Sequence, residues 1–508
     1  MRDPSAPQVK TKMLANRNLR LCSTVATIAS FFSICGCQGL KQSANFNPAL
    51  QPINHIVVMV QENRSLDSYL GKLPDYWAAN GYPTQQFEGL PAGASNPAYN
   101  GTTIPDNTKV NTFHLATECI DNLSPSWNES HEDWNLQSPT SSTPTLDGFV
   151  YNAAKYAIDV NSAGATPAFT DTQGLRAMGY YDWTDLNYYY FMASNFATSD
   201  YWFAPVLDRT QVNRLYLFAA TSQGYAYPPG TTTTDNAALD APTIFDSLNN
   251  GAVSWKIYAT DDTCSSVAPD SKARAGAVAS AASTGTGFCT YLTQFKNYAP
   301  PNALPPNVVS VSDFVVDADA GNLPAVSFIE PGYLSHQDEH PASDTNIQIG
   351  AAYVQGLISH VMNGPSWNDT AFILTYDEPG GAYDHIAPQA TVSPDGISPV
   401  DLASTDICAA SGDTSNPLCN FEYTGYRVPL IVISPFAKKN YVSHTVADYT
   451  AILKFIEARY GLPSLTQRDA AQIDMSEFFD FTTIPWATLP SNIPQQVTTG
   501  ACDSTKLQ

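Results

Sequence analysis

Short apolar runs tipped by oxygen-bearing side chains recur along the chain. Residues 371–376 read Ala-Phe-Ile-Leu-Thr-Tyr, then Asp377 and Glu378 lead into a Pro-Gly-Gly turn. Residues 53–61 repeat the pattern and end in Glu62-Asn63-Arg64-Ser65-Leu66-Asp67. Continuous apolar runs of this length, bounded by turn residues, predict buried strands of a packed sheet. Further strands are predicted over 253–259, 325–329 and 428–434. Helical spacing of apolar positions marks 180–197, 345–361 and 446–460, and a loop-to-helix turn exposes Thr210, with Asn213 and Arg214 in the turn after it. Strands alternating with helices predict an α/β fold, a central sheet flanked by helices with long loop insertions. Residues 72–145 and 395–420 are the long polar loops, 260–306 a candidate inserted lobe rich in Ala, Ser and Gly, and 471–508 an irregular C-terminal segment. No internal repeat is visible.

Composition narrows the class. Charged residues make up only 14% of the 508, and the net charge is −23. That field repels nucleic acid and anionic membrane surfaces, and suits a cleft that gathers a cation. At the start of the chain, Lys10, Lys12, Arg17 and Arg20 precede the apolar run 21–34, which is too short for a comfortable membrane span. This predicts an export leader over 1–37, with Met13 as an alternative start, followed by a polar linker over 38–50 and a catalytic domain over 51–470. The run ends Ile34-Cys35-Gly36-Cys37-Gln38, similar to a bacterial lipobox, with Cys37 the candidate lipid anchor and the only expected tie to a membrane. Ordinary secretion is the alternative, so the destination is periplasmic, outer-membrane-anchored or extracellular. Removing Cys22, Cys35 and Cys37 with the leader leaves six cysteines, an even number that suits disulfides in an oxidising compartment. Cys264–Cys289 and Cys408–Cys419 would close short polar loops, with Cys119 and Cys502 remaining. No cysteine spacing suits a thiolate zinc site.

Paired carboxylates at the carboxyl end of a strand stand where open α/β sheets bind ligands, and oxygen donors suit a hard or borderline divalent cation. Held by Glu62, Asn63, Asp377 and Glu378, such a cation, of unassigned identity, would ionise a Thr210 hydroxyl that is otherwise a poor nucleophile. Arg214 and Asn213 would hold phosphoryl oxygens, and His340 would touch the phosphate or protonate the leaving alkoxide. His336 belongs to the same cluster. Each signal alone has a plainer reading: a polar loop for Glu62-Asn63, a helix cap for Thr210, and hydrogen-bonded structural histidines for His131 and His385. His55, His114, His360 and His444 have no supporting cluster.

Taken together, residues 55–67, 194–214, Asp338-Glu-His-Pro341, 367–385 and 427–435 closely resemble the phosphoesterase family of bacterial phospholipase C and acid phosphatase enzymes, a branch of the alkaline-phosphatase-like superfamily. Glu62-Asn-Arg-Ser65 and Tyr376-Asp-Glu-Pro-Gly-Gly-Ala-Tyr-Asp-His385 carry most of the likeness. The resemblance implies an alkaline-phosphatase-like core, a phosphate-ester substrate with phospholipids among the candidates, Glu62, Asn63, Asp377 and Glu378 as metal ligands, Thr210 as a transiently phosphorylated nucleophile, and His131 and His340 near the phosphate. Three positions depart from the family pattern. Pro125 stands where many relatives have His, Asp208-Arg-Thr-Gln-Val-Asn-Arg214 replaces Gly-Pro-Thr-x-Pro-Asn-Arg, and Leu66 replaces Phe. Pro125 and the altered 208–212 loop motivate a second hypothesis, an inactive surface protein that keeps the fold and cation for binding. Within the enzyme class, a phospholipase would present apolar surface, for which the aromatics of 188–191 and 201–203 are candidates unless they pack in the core.

Overall fold

The structure, a computed structural model, describes residues 45–229, 238–261, 288–299, 304–409 and 416–508. The leader with Cys37, the first part of the linker, Cys264 and most of the 260–306 lobe lie outside these residues.

Eight strands form the main sheet: β1 His55–Gln61, β2 Ala197–Ser199, β3 Trp255–Ala259, β4 Val308–Ser310, β5 Val326–Glu330, β6 Thr370–Tyr376, β7 Leu430–Ile433 and β8 Tyr441–Ser443. Their order is β8-β2-β7-β6-β1-β5-β3-β4. From β6 to β4 every pairing is parallel, while β7 runs antiparallel to both β6 and β2. The helices that bear on the site or on the predictions are α1 Trp127–Trp134, α2 Phe149–Ser162, α3 Asn187–Asn195, α4 Thr210–Ala219, α5 Val311–Ala320, α6 Ile347–Asn363 and α7 Ala451–Tyr460. The α/β architecture, a central sheet flanked by helices, is the one the pattern predicts.

β1 lies at the middle because it carries no polar side chain between Ile56 and Val60, all of which are buried. Each such aliphatic contributes ~1.5–3 kcal/mol by leaving water. Its register with β6 pairs Gln61 with Tyr376. The two strands therefore end level, and Glu62 and Asp377 leave the sheet side by side, with the Asp377 amide donating to Gln61 O at 3.0 Å. β5 ends one step earlier, at Glu330.

Several predicted boundaries move. The 180–197 helix contracts to α3. Residues 447–448 form a short strand beside Trp202–Phe203, and Asp448 Oδ1 accepts from the Thr450 amide at 2.8 Å immediately before α7. Within the expected loop 72–145, Trp127 and Trp134 are buried, and that burial stabilises α1 where local spacing gives little sign of it. Tyr188–Phe191 and Trp202–Phe203 are likewise buried, so they pack in the core rather than form an apolar surface. Residues 471–508 hold only one 3-10 turn, Ser476–Phe478, yet Phe478 and Trp486 anchor them to the core. Disulfides join Cys119 to Cys502 and Cys408 to Cys419. Among the described residues no helix is long and apolar enough to cross a membrane.

Candidate active site

The level ends of β1 and β6 bring Glu62, Asn63, Asp377 and Glu378 to one point, and α4 starts there. Arg209 is the N-cap of α4, and Thr210 its first residue. Thr210 Oγ1 lies 3.2 Å from Glu62 Oε2, 3.1 Å from Asn63 Oδ1 and 3.4 Å from Glu378 Oε1. A hydroxyl has one proton to give, so three acceptors around it leave an excess of oxygen lone pairs.

The loops are held by their own backbone. Asp377 Oδ1 accepts from the Asn63 amide at 2.9 Å and from the Glu378 amide at 2.8 Å, and Glu378 Oε2 accepts from the Gly380 amide at 2.6 Å. Asn63 adopts a left-handed φ of 59°, which Asn tolerates better than most residues. Gly380 is at φ +72°, where a Cβ would stand 2.5 Å from Asn63 O, so glycine is required for the two loops to touch.

A salt-linked clamp supports this turn from behind. Arg427 donates to Asp67 Oδ1 at 3.0 Å and to Asp384 Oδ1 at 2.9 Å, and His385 Nδ1 lies 2.7 Å from Asp67 Oδ2. His385 is thus a structural residue that ties the 376–385 segment to the helix after β1, as the plainer sequence reading has it.

Glu62 is 2% exposed, and Asp377 and Glu378 are fully buried. Burial, with their mutual repulsion, holds the carboxyl groups of Glu62 and Glu378 well above the usual range; Asp377 is raised by burial against the pull of Arg214. Arg214 is the one guanidinium among them. It donates from Nε to Glu62 Oε1 at 2.9 Å and from Nη2 to Val60 O at 2.9 Å, lies 3.3 Å from Asp377 Oδ2 and rests between the rings of Tyr291 and Tyr333, each 5.3 Å away. Asp377 Oδ2 nevertheless has no hydrogen-bond partner. Three buried carboxylates, one orphaned oxygen and a purely oxygen donor set fit a divalent cation at this place. Elsewhere among the described residues, two groups of acidic and histidine residues draw their ligand atoms within 4.8 Å of one another, Asp67–Asp384–His385 and His114–Asp182–Asp185. Arg427 already neutralises the first.

A cavity of ≈ 80 Å³ opens over Thr210, walled by Glu62, Asn63, Arg209, Asp338, His340, Tyr291, Tyr333 and Pro125 among others. Asp338 is pushed up to about 7 by burial, and His340 down to about 4 by burial with the charges of Arg64 and Arg209. His340 Nδ1 lies 3.0 Å from Pro341 O, and Arg64 clamps the preceding carbonyl, Glu339 O, from Nη2 at 2.6 Å. The Glu339 carboxylate accepts from Tyr189 at 2.5 Å and Tyr376 at 2.9 Å.

Not every residue singled out in the sequence reaches the cavity. Asn213 turns its amide inward, donating to Asp208 O at 2.7 Å, and braces the nucleophile loop. Arg214 lies behind the carboxylates rather than among the walls. His131 is buried in a satellite cluster beside Trp127, with its ring nitrogens 2.6 Å from Trp127 O and 3.1 Å from Leu418 O. His336 is half-exposed and meets Thr345 Oγ1 at 3.1 Å. Conversely, Tyr291, Tyr333 and Asp338 wall the site unforeseen. Tyr333 and Asp338 follow strand β5, a position that could have flagged them; Tyr291 gives no sequence signal.

The profile of the phosphoesterase family matches residues 53–463. The chain belongs to the phosphoesterase family. Membership places it among hydrolases of phosphoric ester bonds. The family chain is 29% identical to phospholipase C B of Mycobacterium tuberculosis (strain CDC 1551 / Oshkosh) over 92% of its length and 86% of that protein's. It is 26% identical to the non-hemolytic phospholipase C of Burkholderia pseudomallei (strain K96243), covering 87% and 61% of the two chains, and 26% identical to non-specific phospholipase C1 of Arabidopsis thaliana, covering 87% and 74%. A solved protein of the alkaline phosphatase superfamily from Vibrio parahaemolyticus overlaps 80% of this phosphoesterase and 78% of itself at 14% identity with a TM-score of 0.28, too slight a likeness to argue from.

Proposed function

We propose that this phosphoesterase is an exported, metal-dependent phosphoric ester hydrolase that works through a phosphorylated Thr210. The observation that carries the proposal is the Thr210 hydroxyl, set at a helix N-terminus, within 3.4 Å of three oxygen acceptors, and facing a cavity. The positive end of the α4 dipole favours a phosphoryl group there. Glu62 and Glu378, whose carboxylate oxygens lie 3.2 and 3.4 Å from Thr210 Oγ1, would receive the hydroxyl proton as Thr210 Oγ1 attacks phosphorus in line. A divalent cation bound by Glu62, Asn63, Asp377 and Glu378 would supply positive charge to the ionising hydroxyl and to a phosphoryl oxygen. Arg214 fixes Glu62 and Asp377 and leaves the phosphate to other groups.

The P–O bond to the leaving alkoxide breaks as the bond to Thr210 forms, the alkoxide departs as the alcohol by taking up a proton equivalent to the one Thr210 gave up, and water then returns threonine and releases the phosphate. His340 enters at this second step. With Nδ1–H donated to Pro341 O, its Nε2 carries a lone pair that would accept a proton from the attacking water. Export is supported by the basic-then-apolar start of the chain and by disulfides such as Cys119–Cys502 and Cys408–Cys419, which persist in oxidising compartments. The names of the relatives support a phosphoric ester as substrate, with phospholipids among the candidates.

The test is turnover of chromogenic phosphomonoesters and phosphodiesters by purified protein with a panel of divalent ions. Thr210→Ala, chelation and Asp377→Ala should each reduce the rate to background. Full activity in Thr210→Ala would remove the nucleophile, full activity after chelation would remove the metal, and no turnover by the wild type would leave the cation-binding surface protein.

A further inference from the structure

We infer that the Tyr291 hydroxyl donates to a non-bridging oxygen of the bound phosphoryl group, which makes Tyr291 a catalytic residue of this site. The inference rests on the reading of Thr210 as the nucleophile and deepens it by naming an uncharged donor to the substrate.

Tyr291 is 2% exposed and lines the cavity over Thr210. Among the described residues its hydroxyl has no hydrogen-bond partner, yet it is not one of the sealed orphan atoms, a group that includes Asp377 Oδ2. The hydroxyl therefore opens into the cavity with its proton to give. Nearby donors are engaged elsewhere: the Tyr333 hydroxyl on Glu330 Oε2, His340 Nδ1 on Pro341 O, and Arg214 on Glu62 and Val60 O.

The ring is fixed before any substrate arrives. Cys289, two residues earlier, is disulfide-bonded, and its amide donates to Asp261 O at 3.1 Å. Thr290 caps the 3-10 turn Tyr291–Gln294. Glu330, the last residue of β5, accepts through Oε1 from Thr290 Oγ1 at 2.8 Å and from the Tyr291 amide at 3.2 Å. The same carboxylate holds Tyr333, whose ring meets that of Tyr291 edge-on with centroids 5.8 Å apart, and the Arg214 guanidinium lies 5.3 Å from the Tyr291 ring. A side chain gripped through both its backbone and its ring has already lost its rotamer freedom, so its hydrogen bond to a ligand carries little ordering cost.

A phenol suits the place. It ionises near pH 10, so its proton is present across the neutral range. Giving the proton up would leave a phenolate under the charges of Glu62 and Asp377, which act on it, whereas sharing it with a phosphoryl oxygen creates no new anion. A fixed donor aimed at oxygens that carry the charge of the transition state needs no reorganisation as Thr210 attacks. Tyr291 is thus a holder of the phosphoryl group and not the acid of the leaving alkoxide.

The experiment compares metal-loaded wild type with Tyr291→Phe, which keeps the ring against Arg214 and Tyr333. Each is assayed on an ester whose leaving group needs no proton and one whose alkoxide does: p-nitrophenyl phosphate with glycerol 2-phosphate, and p-nitrophenylphosphorylcholine with glycerophosphocholine. On the pair that the wild type hydrolyses, kcat/KM should fall by about 10- to 100-fold for both members, the worth of one hydrogen bond to a charged group, at an unchanged urea midpoint. No fall, a fall confined to the alkyl ester, or a fall matched by a lower midpoint overturns the inference. A second measurement needs no turnover: calorimetric binding of inorganic phosphate to metal-loaded Thr210→Ala, with and without Tyr291→Phe. Weaker binding in the double variant supports the donor even where no ester is hydrolysed, an outcome that would sink the proposed hydrolase alone. Equal binding in both, or none in either, overturns it.

Discussion

At the scale of single residues, His340 illustrates how burial sets a role that residue type leaves open. Desolvation disfavours the imidazolium, Arg64 and Arg209 add repulsion, and the ring is held down to about 4. It is therefore neutral from about pH 5 upwards and cannot be the source of an ordinary histidine limb near pH 6.5. The expected outcome is that His340→Asn lowers kcat/KM without changing the position of the acid limb of its pH profile. A limb near pH 6.5 in the wild type that disappears in the variant would contradict this. The convergence of Glu62, Asn63, Asp377 and Glu378 was legible in the sequence because each pair follows an apolar run, so the strand ends locate them. The jobs of Arg214 and His131 were not, since their side chains are turned by distant partners: Glu62 and Val60 for the first, the carbonyls of Trp127 and Leu418 for the second. Arg209 showed in the sequence only as an odd charge in the nucleophile loop; its place in the cavity wall required the start of α4.

At the scale of elements, α7 contains a buried acid that costs stability. Glu457 packs against Asp469, the capping-box residue of the short helix Gln467–Ala470, and accepts from Ser464 Oγ at 2.7 Å. Burial, with the neighbouring Asp469, pushes its carboxyl up to about 10. The folded value lies above the unfolded one, so the folded state binds the extra proton. Its favourable contribution is complete below about pH 4.3 and is lost progressively as pH rises towards 10. Glu457→Gln should remove that dependence, raising stability at pH 8 by on the order of 1–3 kcal/mol and changing it little at pH 4. Urea unfolding at the two pH values checks it, and an equal effect at both would refute the assignment. The strands that build the sheet's middle were readable as continuous apolar runs. The short strands β4 and β8 at the edges and β2 beside one of them were not, because three residues carry too little periodicity and pairing with a neighbour decides them. The same holds for α1, whose first-turn tryptophan finds its partners in Phe421 and Val206, far along the chain.

At the scale of the whole molecule, the C-terminal segment is held against the loops that precede α1. Ala116 and Glu118 donate their amides to Leu507 O at 3.0 Å and Ala501 O at 2.8 Å, the Asp503 amide donates to Thr117 Oγ1 at 2.8 Å, and the Gly500 amide donates to Gln348 Oε1 at 2.8 Å on α6. The Cys119–Cys502 disulfide fastens this contact across 383 residues of sequence, whereas Cys408–Cys419 spans 11. A cross-link over the longer loop removes more freedom from the unfolded chain, so Cys502→Ser should cost about 2–5 kcal/mol, the upper part of that range being open only to the long loop. Neither cysteine of that pair lines the cavity over Thr210, so the activity per folded molecule should stay at the wild-type level while the urea midpoint falls. Reductant should lower the wild-type midpoint and, in Cys502→Ser, act only through the disulfides that remain, Cys408–Cys419 and that of Cys289. If Cys502→Ser unfolds at the wild-type midpoint, the segment is held by its backbone hydrogen bonds and the cross-link is incidental. If activity falls in step with stability at temperatures where the variant is fully folded, the tail instead communicates with the site through Glu118 and α6.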